Sequence, residues 1–118
     1  MALKNLVSKL TKPVEEHDRE KLVEFCSRIE DCSTIAEVQP RTVAKVVGEI
    51  SSVRIVPRAG APSLEVGLSD GKGVLTAVFF GRKKIAGLSP GRRVVMEGMV
   101  APLHNRVFMF NPVYELLP

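Results

Sequence analysis

Few side chains in this 118-residue chain have the types and spacings for covalent or metal chemistry. Cys26 and Cys32 stand six apart, which makes neither a C-x-x-C redox pair nor half of a zinc site. His17 and His104 gain no set of Cys, Asp or Glu partners at a ligand spacing that recurs elsewhere, so no metal is expected. The stretch from Gly81 to Gly91 lacks the G-x-x-x-x-G-K-[ST] order of a phosphate-cradling loop. No Ser or Cys has an evident His-plus-acid support. The chain reads as non-catalytic and without a cofactor.

What remains is the chemistry of cations and aromatic rings. Residues 1–40 carry a net charge of −2 and residues 41–118 a net +6, so the basic surplus belongs to the second segment. A basic surface suits a polyanion, because neutralising phosphates releases condensed counterions. Of the six aromatic residues, Phe25 falls in the first segment and Phe79, Phe80, Phe108, Phe110 and Tyr114 in the second. Exposed rings would stack on bases, and Arg would hold phosphate in its planar fork.

These residues must be positioned by the elements around them. Leu3, Leu6, Val7 and Leu10 recur with helical spacing, and Pro13 can open a second helix at its first turn. Glu15, Glu16, Asp18 and Glu20 favour that helix start, and Leu22, Phe25, Cys26 and Ile29 form its apolar stripe. From Thr42 the period changes to two. Thr42–Val56 is a long strand with Gly48 placed for a bend. Leu64, Val66 and Leu68 alternate with Glu65 and Gly67, and Asp70-Gly71-Lys72-Gly73 signals a hairpin into Val74–Phe80. Arg82–Leu88 reads as a short helix, ended by Ser89-Pro90-Gly91. Arg92–Ala101, with Gly98 inside it, and Arg106–Phe110 complete five strands.

This pattern predicts a mainly β chain: a five-stranded OB-fold barrel, residues 41–118, with a short helix between strands 3 and 4. Two helices precede it in an N-terminal extension, residues 1–40. A Greek-key sandwich needs about seven strands. The extension can pack on the barrel, cover one of its ends or mediate self-association. No apolar run approaches the roughly 20 residues of a membrane span, and Lys4, Lys9 and Lys12 interrupt any signal-like run. A cytoplasmic setting with reduced thiols is expected.

Val46-Val47-Gly48-Glu49-Ile50 and Leu68 to Gly81 resemble the tRNA/helicase-type OB-fold family, most closely the wedge domain of the RecG branch-migration helicase. Phe110-Asn111-Pro112-Val113-Tyr114-Glu115 is similar to the Asn-Pro-x-Tyr-Glu ending of that domain, and the likeness covers about residues 38–116. The whole chain, including Gly81 to Arg92, looks like short stand-alone OB-fold nucleic-acid-binding proteins of actinobacteria. The resemblance implies binding of nucleic acid. It does not imply remodelling of branched DNA, because helicase motor domains are absent from the chain.

In such barrels the groove crosses strands 2 and 3 between the loops joining strands 1–2 and 4–5. Arg54 and Arg58 fall at the first loop and Arg106 at the second; Arg82, Lys83 and Lys84 follow strand 3, and Arg92 opens strand 4. Any one of them alone reads as solvated charge, and the set reads as a phosphate-binding rim. If Leu75, Ala77 and Phe79 face the core, then Thr76, Val78 and Phe80 face outward. Phe108 and Phe110 share a face, which either fills the barrel or offers a stacking surface. Tyr114 fits a packing anchor. The expected interface is Arg54, Arg58, Thr76, Phe80, Arg82, Lys83, Lys84, Arg92, Arg106 and Phe108, binding single-stranded or junction DNA or RNA with little sequence preference. The competing expectation is a protein-interaction module that uses the barrel or the N-terminal helices.

Overall fold

In the computed structural model, which describes residues 16–57, 59–103 and 106–118, the alternating segments become six strands. These are β1 (Val43–Val56), β2 (Ser63–Ser69), β3 (Val74–Phe80), β4 (Arg93–Leu103), β5 (Arg106–Phe110) and β6 (Val113–Leu116). Their order is β1-β2-β3-β5-β4-β6, and a further β1–β4 pairing closes the first five into a ring. The β3–β5 pair is parallel and the others are antiparallel.

Closure depends on β1 serving two neighbours. Its first half, Val43 to Glu49, pairs with β4, and its second half, Glu49 to Val56, pairs with β2. Gly48 sits at the changeover, where an added Cβ would lie 2.5 Å from the Ser69 carbonyl oxygen. Only a residue without a side chain lets β2 approach so closely. The register shifts between Ile50 and Ser52, a bulge that bends the strand further. The β2–β3 hairpin is fixed by Asp70. Its carboxylate accepts the backbone N–H groups of Lys72 (2.9 Å), Gly73 (2.8 Å) and Ile35 (2.9 Å). The last bond ties a 3-10 turn, Ile35–Glu37, to the barrel and delivers Ile35 into the core.

Inward residues alternate as a half-buried sheet requires: Leu64, Val66 and Leu68 on β2, and Leu75, Ala77 and Phe79 on β3, all join one core with Val46, Ile50, Val94 and Met96. The ring, the shared first strand and the strand order are those of an OB-like barrel.

Two expectations change, and a third falls partly outside the described residues. No helix lies between β3 and β4; residues 81–92 form a looped connection. Gly81, Gly87 and Gly91 all take positive φ there, and Leu88 donates to the Ile85 carbonyl in a single turn. Ile85 and Leu88 are pinned in the core, while a Cβ at Gly87 would collide with Leu116. Burial of two anchors with glycine turns on each side overrides a helix too short to nucleate itself. The second change is a sixth strand, β6, which pairs with Val94–Glu97 of β4 beyond a bend at Asn111-Pro112. The third concerns the N-terminus. Residues 16–27 are helical as expected, and the other expected helix, over Leu3 to Leu10, lies outside the described residues.

The helix over residues 16–27 packs on the barrel. Arg19 Nε donates to the Gly71 carbonyl at 2.7 Å, the Cys26 thiol reaches the Val47 carbonyl, and Leu22 is buried. It is not long and apolar enough to cross a membrane.

Candidate functional site

The register alone arranges a surface on the outside of β2, β3 and β5. Ser52, Gly67, Thr76 and Phe108 form one row across four strands, and Arg54, Glu65, Val78 and Phe110 form the next. Phe80 extends this face at the end of β3, opposite Ser63. Because β3 and β5 run parallel and in register, their outward rings come together in a line.

Phe80 and Phe110 stack with centroids 5.5 Å apart and planes 12° from parallel; Phe110 and Phe108 follow at 6.2 Å and 7°. The Arg106 guanidinium continues the line, 5.2 Å from the Phe108 centroid. Phe80 remains 46% and Phe110 37% exposed, so the ladder is not absorbed into the core. Its underside is covered. Thr76 and Val78 face outward as the alternation predicts, yet both are buried, Thr76 accepting a 3.3 Å hydrogen bond from Arg106 Nη2. Phe79 turns inward and meets Tyr114 edge-on at 6.0 Å, the packing contact expected of that tyrosine.

Asn111 locks the ladder to the barrel. Its N–H donates to the Val78 carbonyl at 2.7 Å, and its Oδ1 accepts the Phe80 N–H at 3.0 Å. The residue takes a positive φ of 49°, which Asn tolerates better than most side chains. Rigid positioning of this kind lowers the entropy lost when a ligand docks.

Beside the Arg106 end lies a cleft of about 290 Å³ lined by Ser52, Arg54, Glu65, Gly67, Thr76 and Arg106. Gly67 lets the serines of β1 close over it: a Cβ there would lie 2.6 Å from Ser52 Oγ and 3.1 Å from Ser51 Oγ. Arg54 bonds Glu65 across the strands at 3.1 Å, with the guanidinium side chain 70% and the carboxylate side chain 13% exposed.

Five expected site residues therefore meet on this face: Arg54, Thr76, Phe80, Arg106 and Phe108. Arg82, Lys83 and Lys84 are exposed on the connection that leaves the Phe80 end. Arg92 is elsewhere, in a separate cleft with Glu49, Arg93 and Leu117. Arg58 lies outside the described residues, as does His104. Phe110, Glu65, Gly67 and Asn111 were not among the expected site residues. The alternation of β2 carried the signal for Glu65 and Gly67, since inward Leu64, Val66 and Leu68 force their neighbours outward.

The cysteines sit apart from this face. Cys26 and Cys32 line a small cavity where the helix and the following segment meet Val47 and Asp70. Burial pushes the Cys26 thiol up to about 11, with the Asp70 charge adding to it, and burial raises Cys32 as well. Both are free and protonated at neutral pH. Among the described residues, no three His, Cys, Asp or Glu side chains come together as a metal-binding group.

Fold and surface together define an OB-like barrel whose outer face carries a fixed row of rings with arginines beside it. No family model and no curated protein matches the sequence. Among solved structures the chain is similar to the solution NMR structure of the replication factor A related protein from Methanobacterium thermoautotrophicum. The TM-score is 0.55 and the identity 22%, over 75% of this chain and 92% of that one. At that identity the similarity establishes the shared fold.

Proposed function

We propose that this chain is a non-catalytic nucleic-acid-binding protein that takes an unpaired strand of DNA or RNA along the outer face of β3 and β5. The observation that carries the reading is the line Phe80–Phe110–Phe108–Arg106, half-buried at Phe108 and exposed at the other three. Near-parallel rings offer bases a stacking surface worth about 1–3 kcal/mol per base, independent of sequence. Arg54 and Arg106 flank one end and the Arg82–Lys84 cluster follows the other, so cations are available to phosphates along the track. A paired duplex hides its base faces and would use only the cations. The replication factor A related neighbour and the wedge-domain resemblance of residues 38–116 favour the same class of ligand. The reduced, protonated thiols suit a cytoplasmic setting.

The test is a fluorescence-anisotropy titration with a labelled oligothymidylate at two salt concentrations. Micromolar-class binding that weakens steeply with salt is expected, as is joint weakening when Arg54 and Arg106 become Ala. Absence of binding at low salt rejects the proposal.

A second reading rests on a different observation. Val43 and Met99, paired across β1 and β4, and Val113 on β6 are all exposed apolar side chains. They favour a protein partner on that part of the barrel. The helix over residues 16–27 is a poorer docking element, since Leu22 and Cys26 already face the barrel.

A further inference from the structure

The two arginines that line the cleft beside the ladder are held by opposite means. Neutral groups brace Arg106: its Nη2 donates to the Thr76 hydroxyl at 3.3 Å, and its guanidinium lies 5.2 Å from the Phe108 centroid. Among the described residues it makes no ion pair, so its charge stays available to a ligand. Arg54 is different. Its Nη2 lies 3.1 Å from the carboxylate of Glu65, its direct partner across β1 and β2. Inward Leu64 and Val66 force Glu65 onto the outer face beside it. With side chains 13% and 70% exposed, the carboxylate lies low on the sheet and the guanidinium stands in solvent. Glu65 also has an interaction besides Arg54, so it does not depend on that arginine to stay in place.

We infer that Glu65 is an internal competitor for the strand's phosphate: it keeps Arg54 neutralised in the empty groove, so that Arg106 supplies the standing cationic contact and Arg54 adds to binding only by exchanging carboxylate for phosphate. A phosphodiester carries the same single negative charge as a carboxylate and takes the same guanidinium donors. An ion pair as open to water as this one is weak, so a phosphate can displace it, but the exchange returns little net stabilisation. Left behind on the sheet, the Glu65 charge also repels the incoming phosphate. The device lowers the affinity of the groove and its dependence on salt. Charge alone then does not hold a polyanion tightly, and stacking on the rings decides what stays bound.

This inference rests on the nucleic-acid reading above, and the experiment separates the two. Labelled oligothymidylate is titrated by anisotropy, over a series of salt concentrations, against the unmodified protein, Arg54→Ala, Arg106→Ala, Glu65→Gln and the double variant Arg54→Ala/Glu65→Gln. Arg106→Ala is expected to weaken binding about tenfold and Arg54→Ala only about twofold. Glu65→Gln is expected to tighten binding about fivefold and to steepen the slope of log affinity against log salt by about one. Adding Arg54→Ala to Glu65→Gln should remove most of that gain, which isolates the share of Glu65 that acts through Arg54. Equal losses in the two arginine variants overturn the competitor, because Arg54 is then already fully engaged. Unchanged or weaker binding in folded Glu65→Gln overturns it too, as does a gain that persists without Arg54. Each of these results leaves the groove standing. No binding by the unmodified protein at low salt removes the groove and the competitor with it. The comparison of the two arginine variants keeps Glu65 intact, so it stands even where Glu65→Gln fails to fold.

Discussion

Arg93 lies 4.2 Å over the Phe25 ring and Arg106 lies 5.2 Å over the Phe108 ring, so the barrel carries the same cation–aromatic pair on two outer faces. On the β1–β4 face the ring comes from the chain's own helix. Cys26 and Leu22 pack beside it, and Val47 and Val95 are buried beneath. On the β3–β5 face both partners come from β5, and Phe80 and Phe110 beside them stay 46% and 37% exposed. The two faces have similar chemistry and differ in what meets them: a helix of the chain on one, half-exposed rings on the other. Half-exposed rings are what the proposed binding face requires.

That contrast predicts separable effects of substitution. The largest concerns neither face: Asp70→Ala strands three backbone N–H groups and is expected to lower stability by about 3 kcal/mol or more. Denaturant titration measures this, and the oligonucleotide affinity of the folded fraction should not change. Next, joint replacement of Phe108 and Phe110 by Ala should weaken oligothymidylate binding by about a hundredfold. Retained affinity in that variant breaks the comparison.

The paired arginines sharpen it. Arg106→Ala is expected to weaken binding and to reduce the slope of log affinity against log salt by about one. Arg93→Ala should leave both untouched and lower stability by about 0.5–1 kcal/mol, the value of an exposed cation–aromatic contact. The smallest effect is on the covered side. Cys26 is protonated up to about pH 11, so alkylation in the folded protein should be slow at pH 8 and accelerate only in strong alkali. The raised folded-state pKa also means that the unfolded chain loses its proton first. Its contribution to stability is therefore intact below pH 9 and falls as pH rises toward 11. Thermal melts at pH 8 and pH 10.5 check the sign.

Much of this architecture is written locally. Gly48 marks the bend of β1, Asp70 to Gly73 the hairpin, and the alternation of Leu75, Ala77 and Phe79 the inward face of β3. From that alternation, outward Phe80 follows directly. Two elements were hidden for physical reasons. The Arg82–Leu88 segment has helix-compatible residues, but its conformation is set by where Ile85 and Leu88 are buried and by Leu116 against Gly87, both long-range facts. Pro112 makes β6 look like a tail, although Pro112 itself precedes the strand and Val113–Leu116 pair freely with β4. The site divides the same way. The place of Arg54 beside the groove was readable and outward Phe80 followed from one of two registers, whereas for Phe108 the alternation left barrel filling and outward stacking equally open. The stacking of Phe110 between two other rings depends on the parallel β3–β5 register, which no local pattern encodes.

The most direct test of the open face is amide chemical-shift mapping on the isotopically labelled chain during titration with a short oligothymidylate. Perturbations should concentrate in Thr76–Phe80 and Arg106–Asn111, and spare Ala44–Val47 and Val94–Glu97. Shifts gathered on β1 and β4 instead, or no shifts at low salt, would contradict the assignment of the aromatic ladder as the binding surface.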